Sequence, residues 1–129
     1  MSIEEATWPH KFSKEQLDKW KKEYGRVLMT TISSQSYVYR GLTNAEFEKL
    51  REEERQFIAN LEQNNVSQDD ISQQTITNSM KAVVLKCLLY PEDYAEKLSS
   101  DLAGVLEVLQ PAILEASGFP NEVPEVQTL

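Results

Sequence analysis

This chain is poor in the residues that carry covalent chemistry. Its 129 residues include one cysteine, Cys87, and one histidine, His10. A lone cysteine can neither close an internal disulfide nor build a cysteine-based zinc cluster, and it fits a reducing compartment. The four glycines, at positions 25, 41, 104 and 118, lie too far apart to form a phosphate-cradling loop. Long apolar runs are also missing: the longest, Ala82–Leu89, is interrupted by Lys86, whereas a membrane-spanning helix needs roughly 20 apolar residues. The opening Met1-Ser2-Ile3-Glu4-Glu5 has neither the basic nor the apolar region of a secretory signal. The expectation is a protein made and kept in the cytosol. Positive charge is scarce as well. Thirteen Lys and Arg face 21 Asp and Glu, for a net charge of −8, which opposes binding to a nucleic-acid backbone.

What is present describes an ordinary globular domain. The chain is 40% hydrophobic and 26% charged, and a chain of this size buries roughly two-thirds of its unfolded surface without metal or disulfides. The charge is uneven. Residues 1–65 hold ten Lys/Arg against eleven Asp/Glu, and residues 66–129 hold three against ten. The second half is thus a solvated acidic surface or a face for a basic partner.

Local signals divide the chain into helices and one hairpin. Ser13-Lys14-Glu15-Gln16 has the form of a capping box, and the helix after it, with Leu17 and Trp20 inside, should end at Gly25. Residues 26–32 and 37–40 are β-prone runs flanking a polar turn at Ser33–Ser36, which predicts a hairpin over about 26–40. Alternation puts Tyr37 and Tyr39 on one face and Val38 and Arg40 on the other. Thr43-Asn44-Ala45-Glu46 is a second capping box, followed by the stripe Phe47, Leu50, Phe57, Ile58 and Leu61. Ser67 with Asp70 opens a third long helix, carrying Ile71, Ile76, Met80, Val83, Val84, Cys87 and Leu88 and stopped by Pro91. The last helix starts at Ser99 or Ser100, holds Leu102, Val105, Leu106, Leu109, Ile113 and Ala116, is kinked or restarted at Pro111, and ends near Gly118. The expected fold class is mainly α: a small helical bundle with an N-terminal-side β-hairpin, one domain over residues 1–119, and a flexible tail over residues 120–129 with little periodicity.

No constellation for catalysis emerges. Cys87 lies on an apolar helix stripe, where a thiol is a small core residue, so pairing with His10 as nucleophile and base is not expected. Asp69-Asp70 and Glu92-Asp93 fall at helix starts, where carboxylates complement the helix dipole. Glu52-Glu53-Glu54 runs around a helix and cannot converge on an ion. The expected catalytic, cofactor and metal sites are therefore none, and the chain reads as no enzyme. The aromatic residues are more informative. Trp8, Phe12, Trp20 and Tyr24 precede the hairpin, and Tyr37 and Tyr39 lie in it. They either build a core under the hairpin or present a binding surface, since aromatic residues and Arg are enriched at protein interfaces. On the second reading, Trp8, Trp20, Tyr37, Tyr39 and Arg40 are the candidate partner-binding residues.

Several short stretches occur together in order. Tyr24-Gly25-Arg26-Val27 leads to Tyr37-Val38-Tyr39-Arg40-Gly41-Leu42-Thr43-Asn44-Ala45-Glu46-Phe47, then Cys87-Leu88-Leu89-Tyr90-Pro91, then Ala103-Gly104 and Ser117-Gly118-Phe119. Across residues 24–119 this order resembles the tail assembly chaperones and related baseplate assembly proteins of contractile-tailed phages. The resemblance implies a non-enzymatic assembly factor that binds a tape-measure or baseplate-hub protein in the host cytoplasm, without cofactor, nucleic acid or membrane, and as a monomer or homo-oligomer. The alternatives are a permanent baseplate component, located in the virion tail, and a regulatory protein-binding module unrelated to tails.

Overall fold

The computed structural model describes residues 9–119 and 127–129. Helix α1 (Lys14–Tyr24) leads into the hairpin strands β1 (Leu28–Ile32) and β2 (Gln35–Tyr39). The long helices α2 (Asn44–Gln63) and α3 (Gln68–Cys87) follow. Strand β3 (Leu88–Tyr90), the short helix α4 (Tyr94–Lys97), a 3-10 turn (Leu98–Ser100), helix α5 (Gly104–Ala116) and strand β4 (Gln127–Thr128) complete the chain. The fold is mainly α with a small antiparallel sheet.

The helix starts are where local chemistry places them. Ser13, Thr43 and Ser67 each accept a hydrogen bond from the backbone N–H three residues on. Thr43 and Glu46 complete a reciprocal box, because the Glu46 carboxylate also accepts from the Thr43 N–H at 3.0 Å. After α5, Gly118 sits at φ 100°. The Phe119 N–H then reaches the Leu114 carbonyl, and the Gly118 N–H that of Glu115, which satisfies helix-end carbonyls as a left-handed cap does.

The hairpin turn is tighter than the four polar residues suggest. Only Ser33 and Ser34 form the loop, both with positive φ, and Ile32 pairs with Gln35. That two-residue turn matches the right-handed twist of the strands. The strand order is β3-β2-β1-β4. In register, Leu28 faces Tyr39, Thr30 faces Tyr37, and Met29 faces Val38, so alternate residues separate onto the two faces of the sheet.

Both faces are covered, which makes a three-layer arrangement. On one side Leu28, Tyr37 and Tyr39 join Val83, Val84 and Cys87 of α3 and Val105, Leu109, Ala112 and Ile113 of α5. On the other, Met29 and Val38 pack with Val27, Phe12, Leu17 and Trp20. Helix α2 lies at the margin of this core, with Phe47 and Leu50 packed against it. It packs on α3, and its stripe Phe47, Leu50, Phe57, Ile58 and Leu61 is only half-buried, because no residue of α2 is fully covered.

Four expectations are corrected. Residues 88–90 leave the helix to form β3, as the preference of the residue before proline for extended backbone favours at Tyr90. Helix α5 starts at Gly104 rather than after Ser99 or Ser100, and it runs through Pro111 without interruption. Ile76 and Leu102, read as core positions, are 61% and 60% exposed; Leu102 lies in the link before α5 rather than inside the helix. The tail expectation covers residues 120–126, which lie outside the described residues, but residues 127–129 are not loose. Gln127 and Thr128 pair with Met29 and Leu28, the Leu129 N–H donates to the Val27 carbonyl at 2.9 Å, and Lys21 Nζ donates to the Leu129 carbonyl at 2.9 Å. An otherwise open edge of β1 supplies these partners, which no local pattern in the tail reveals.

Candidate interaction surface

The motif from Tyr37 to Glu46 turns out to be a structural corner. Arg40 is 8% exposed. Its guanidinium grips the Glu46 carboxylate through both terminal nitrogens, at 2.5 and 2.9 Å. It also donates to the carbonyls of Gly41 and Lys86, each at 3.2 Å, and lies 4.7 Å from the Tyr24 ring centroid. The Arg40 hydrogen bond holds the Glu46 carboxyl down at about 2, with the Thr43 backbone adding to the effect against the cost of burial. Lys86 Nζ stands 3.7 Å from the same carboxylate. One arginine therefore ties β2 to the starts of α2 and the end of α3, with α1 laid over it. A paired guanidinium buried this way is committed, since losing its partner would leave an uncompensated charge.

Gly41 and Leu42 complete the corner. A Cβ at Gly41 would lie 2.5 Å from the Ala116 carbonyl oxygen and 3.0 Å from the Ser117 nitrogen. The Leu42 N–H donates to Ser117 Oγ at 2.7 Å, and that hydroxyl donates to the Ile113 carbonyl at 2.6 Å. The backbone that links β2 to α2 and the end of α5 thus touch directly, and only glycine permits it.

The other aromatic candidates are placed by the same packing. Trp20 is buried beside Phe12, ring centroids 5.5 Å apart. Tyr39 is fully buried, and burial, reinforced by Glu115, pushes its hydroxyl up to about 12. Tyr37 is buried and donates to Asp101 Oδ2 at 2.8 Å. Tyr94 donates to the same oxygen at 2.6 Å, and the Leu102 N–H reaches Oδ1 at 2.8 Å. Burial, then the Asp101 carboxylate, raises both tyrosine hydroxyls well above their ordinary value. Trp8 lies outside the described residues. Trp20, Tyr37, Tyr39 and Arg40 are therefore buried, because the sheet, covered on both sides, draws them inward.

The residues considered for catalysis are separated. His10 stacks on Phe12 at 4.9 Å, on the Val38 side of the sheet, while Cys87 is fully buried on the Tyr39 side. Burial pushes the Cys87 thiol up to about 11, far from the thiolate that a nucleophile needs. Asp69 and Asp70 stand in the first turn of α3, in keeping with the dipole expectation. Among the described residues, no three or more His, Cys, Asp or Glu gather as metal ligands.

Besides Ile76 on α3 and the more weakly exposed Tyr24 and Phe119, exposed apolar side chains lie near β3 and α4. An open groove of about 440 Å³ is lined by Leu85, Leu88, Leu89 and Pro91, with Glu92, Asp93, Tyr94 and Ala95. A second, of about 290 Å³, lies between the hairpin turn and the 3-10 segment, with Ile32, Tyr37, Asp101 and Leu102 in its wall. The two share Pro91 and Tyr94, so they adjoin as one trough. Leu85, 41% exposed, stands in the first groove and Leu102, 60% exposed, in the second. Between the helices there is also a cleft of about 170 Å³ bounded by Phe47, Leu50, Ala82, Val83 and Leu114. It is the seam where α2, α3 and α5 meet.

Comparison with family models, with curated proteins and with solved structures gives no match to this chain. Sequence reasoning missed the trough because its walls come from residues 32 to 102, six elements with no shared periodicity. The usable signal was weak: Leu85 falls off the apolar stripe of α3 that carries Val84 and Cys87, beside the charged Lys86.

Proposed function

We propose that this chain is a non-enzymatic assembly factor of a contractile phage tail or baseplate, and that it acts by binding a tape-measure or baseplate-hub protein. The observation that carries a binding role is the pair of exposed leucines, Leu85 and Leu102, in two grooves that share Pro91 and Tyr94. Covering a fully exposed leucine is worth about 1.5–3 kcal/mol, so two partly exposed ones offer a partner a modest apolar anchor. The tail-protein assignment rests on the ordered motifs of residues 24–119. The corner built by Arg40, Gly41, Thr43 and Glu46 gives those motifs a structural reason to occur together: they hold the sheet against the helices.

The test is co-expression with tape-measure and hub fragments of a contractile-tailed phage, followed by capture and hydrogen exchange. Capture with protection over residues 85–102 supports the proposal. Failure to capture either fragment overturns the partner assignment. Mass spectrometry of purified virions separates the two phage roles: a chaperone is absent from the particle, and a permanent baseplate component is present.

A further inference from the structure

The trough has a charge as well as a shape. The wall of its first groove is apolar, with Leu85, Leu88, Leu89 and Pro91, and its lip carries Glu92 and Asp93. Both acids are exposed. Asp93 is held at φ 55°, the left-handed conformation that aspartate tolerates better than most residues. Among the described residues that line this groove there is no Lys, Arg or His. In the second groove the one cation is Lys97, and Asp101 is occupied by the two tyrosine hydroxyls. Elsewhere Glu52 is paired with Arg55, and Asp69 and Asp70 stand in the first turn of the long helix α3, whereas Asp93 precedes a helix of only four residues and caps it with no side-chain hydrogen bond. The chain as a whole is at −8, which disfavours a second copy of itself on this lip.

We infer that the trough takes a protein segment presenting leucine-class side chains beside lysine or arginine, the apolar side chains entering the grooves around Leu85 and Leu102 and the cation meeting Glu92 and Asp93. This rests on the binding role proposed above and specifies the chemistry of the partner. An acidic lip around an apolar floor steers a basic segment and rejects an acidic one of the same hydrophobicity.

Two short amphipathic peptides test it, one of leucine and lysine and one of leucine and glutamate, titrated into the isotopically labelled full chain. The lysine peptide should shift amides of residues 85–95 and 102, and the glutamate peptide should not. Two double variants of exposed residues localise the effect: Leu85→Ser with Leu102→Ser, and Glu92→Lys with Asp93→Lys. Each should weaken the lysine peptide by about threefold to tenfold, and the charge variant should admit the glutamate peptide. Circular dichroism and the native amide spectrum confirm that the variants fold. Unchanged affinity in both folded variants, equal binding of the two peptides, or shifts confined to other residues would overturn the inference. Tail-fragment capture keeps the two readings apart. A fragment held equally by native chain and groove variants leaves the assembly role standing and removes the trough. Peptide binding that depends on the trough, without capture of any tail fragment, does the reverse.

Discussion

A methyl group added at Gly41 tests the corner that joins sheet to helices. In Gly41→Ala the new Cβ would stand 2.5 Å from the Ala116 oxygen, 2.8 Å from its carbonyl carbon and 3.0 Å from the Ser117 nitrogen. All three are backbone atoms at the end of α5. That end cannot retreat freely, because Ser117 Oγ is hydrogen-bonded to both Leu42 and Ile113, and Ile113 and Ala112 are fully buried. Overpacking of this kind costs about 1–3 kcal/mol, while the stiffer unfolded chain returns about 0.4–1 kcal/mol. The net loss should be about 1–2 kcal/mol, or a melting temperature lower by roughly 3–8 °C. Gly104→Ala is the internal comparison. Nothing lies within 4 Å of its added Cβ, and Gly104 is the first residue of α5, so alanine should stabilise by about 0.5–1 kcal/mol. Urea unfolding measures both, and the midpoint should move with an unchanged slope. A Gly41→Ala protein as stable as the native one would refute the close approach of the β2–α2 link to α5, and with it the structural account of the Arg40–Glu46 motif.

Glu46 should make the protein acid-sensitive in a defined window. Its carboxyl is held at about 2 against an ordinary 4.5, so its contribution is present above about pH 4.5 and is lost as the pH falls toward about 2. The shift sets an upper bound of about 3 kcal/mol, which partial solvent exposure reduces to about 1–2 kcal/mol. Glu46→Gln should flatten the fall in stability between about pH 5 and about pH 2.5, and an unaltered slope would count against the pairing with Arg40. Cys87, fully buried with its thiol at about 11, should react with a thiol reagent at neutral pH at least about 100-fold more slowly in the native state than in urea. Equal rates would restore it as a candidate nucleophile.

The helix starts at Ser13, Thr43 and Ser67 were legible because a cap is a bargain among four consecutive residues. The ends at Gly25 and Gly118, and the hairpin near the N-terminal side, follow from equally local backbone chemistry. By itself the sequence thus determined a mainly helical domain with its helix and hairpin boundaries largely in place. The tertiary structure alone decided what those elements face. Alternation put Tyr37 and Val38 on opposite sides of a strand, but covering both sides, with α1 on one and α3 with α5 on the other, is what buried Trp20, Tyr37 and Tyr39. Strands β3 and β4, three and two residues long, exist because open edges of β2 and β1 receive them. Leu85 and Leu102 look in sequence like any other helix-flank leucines. Their exposure depends on which stretch finds a neighbour, and that is settled by long-range packing among segments up to 70 residues apart, beyond the reach of any local pattern.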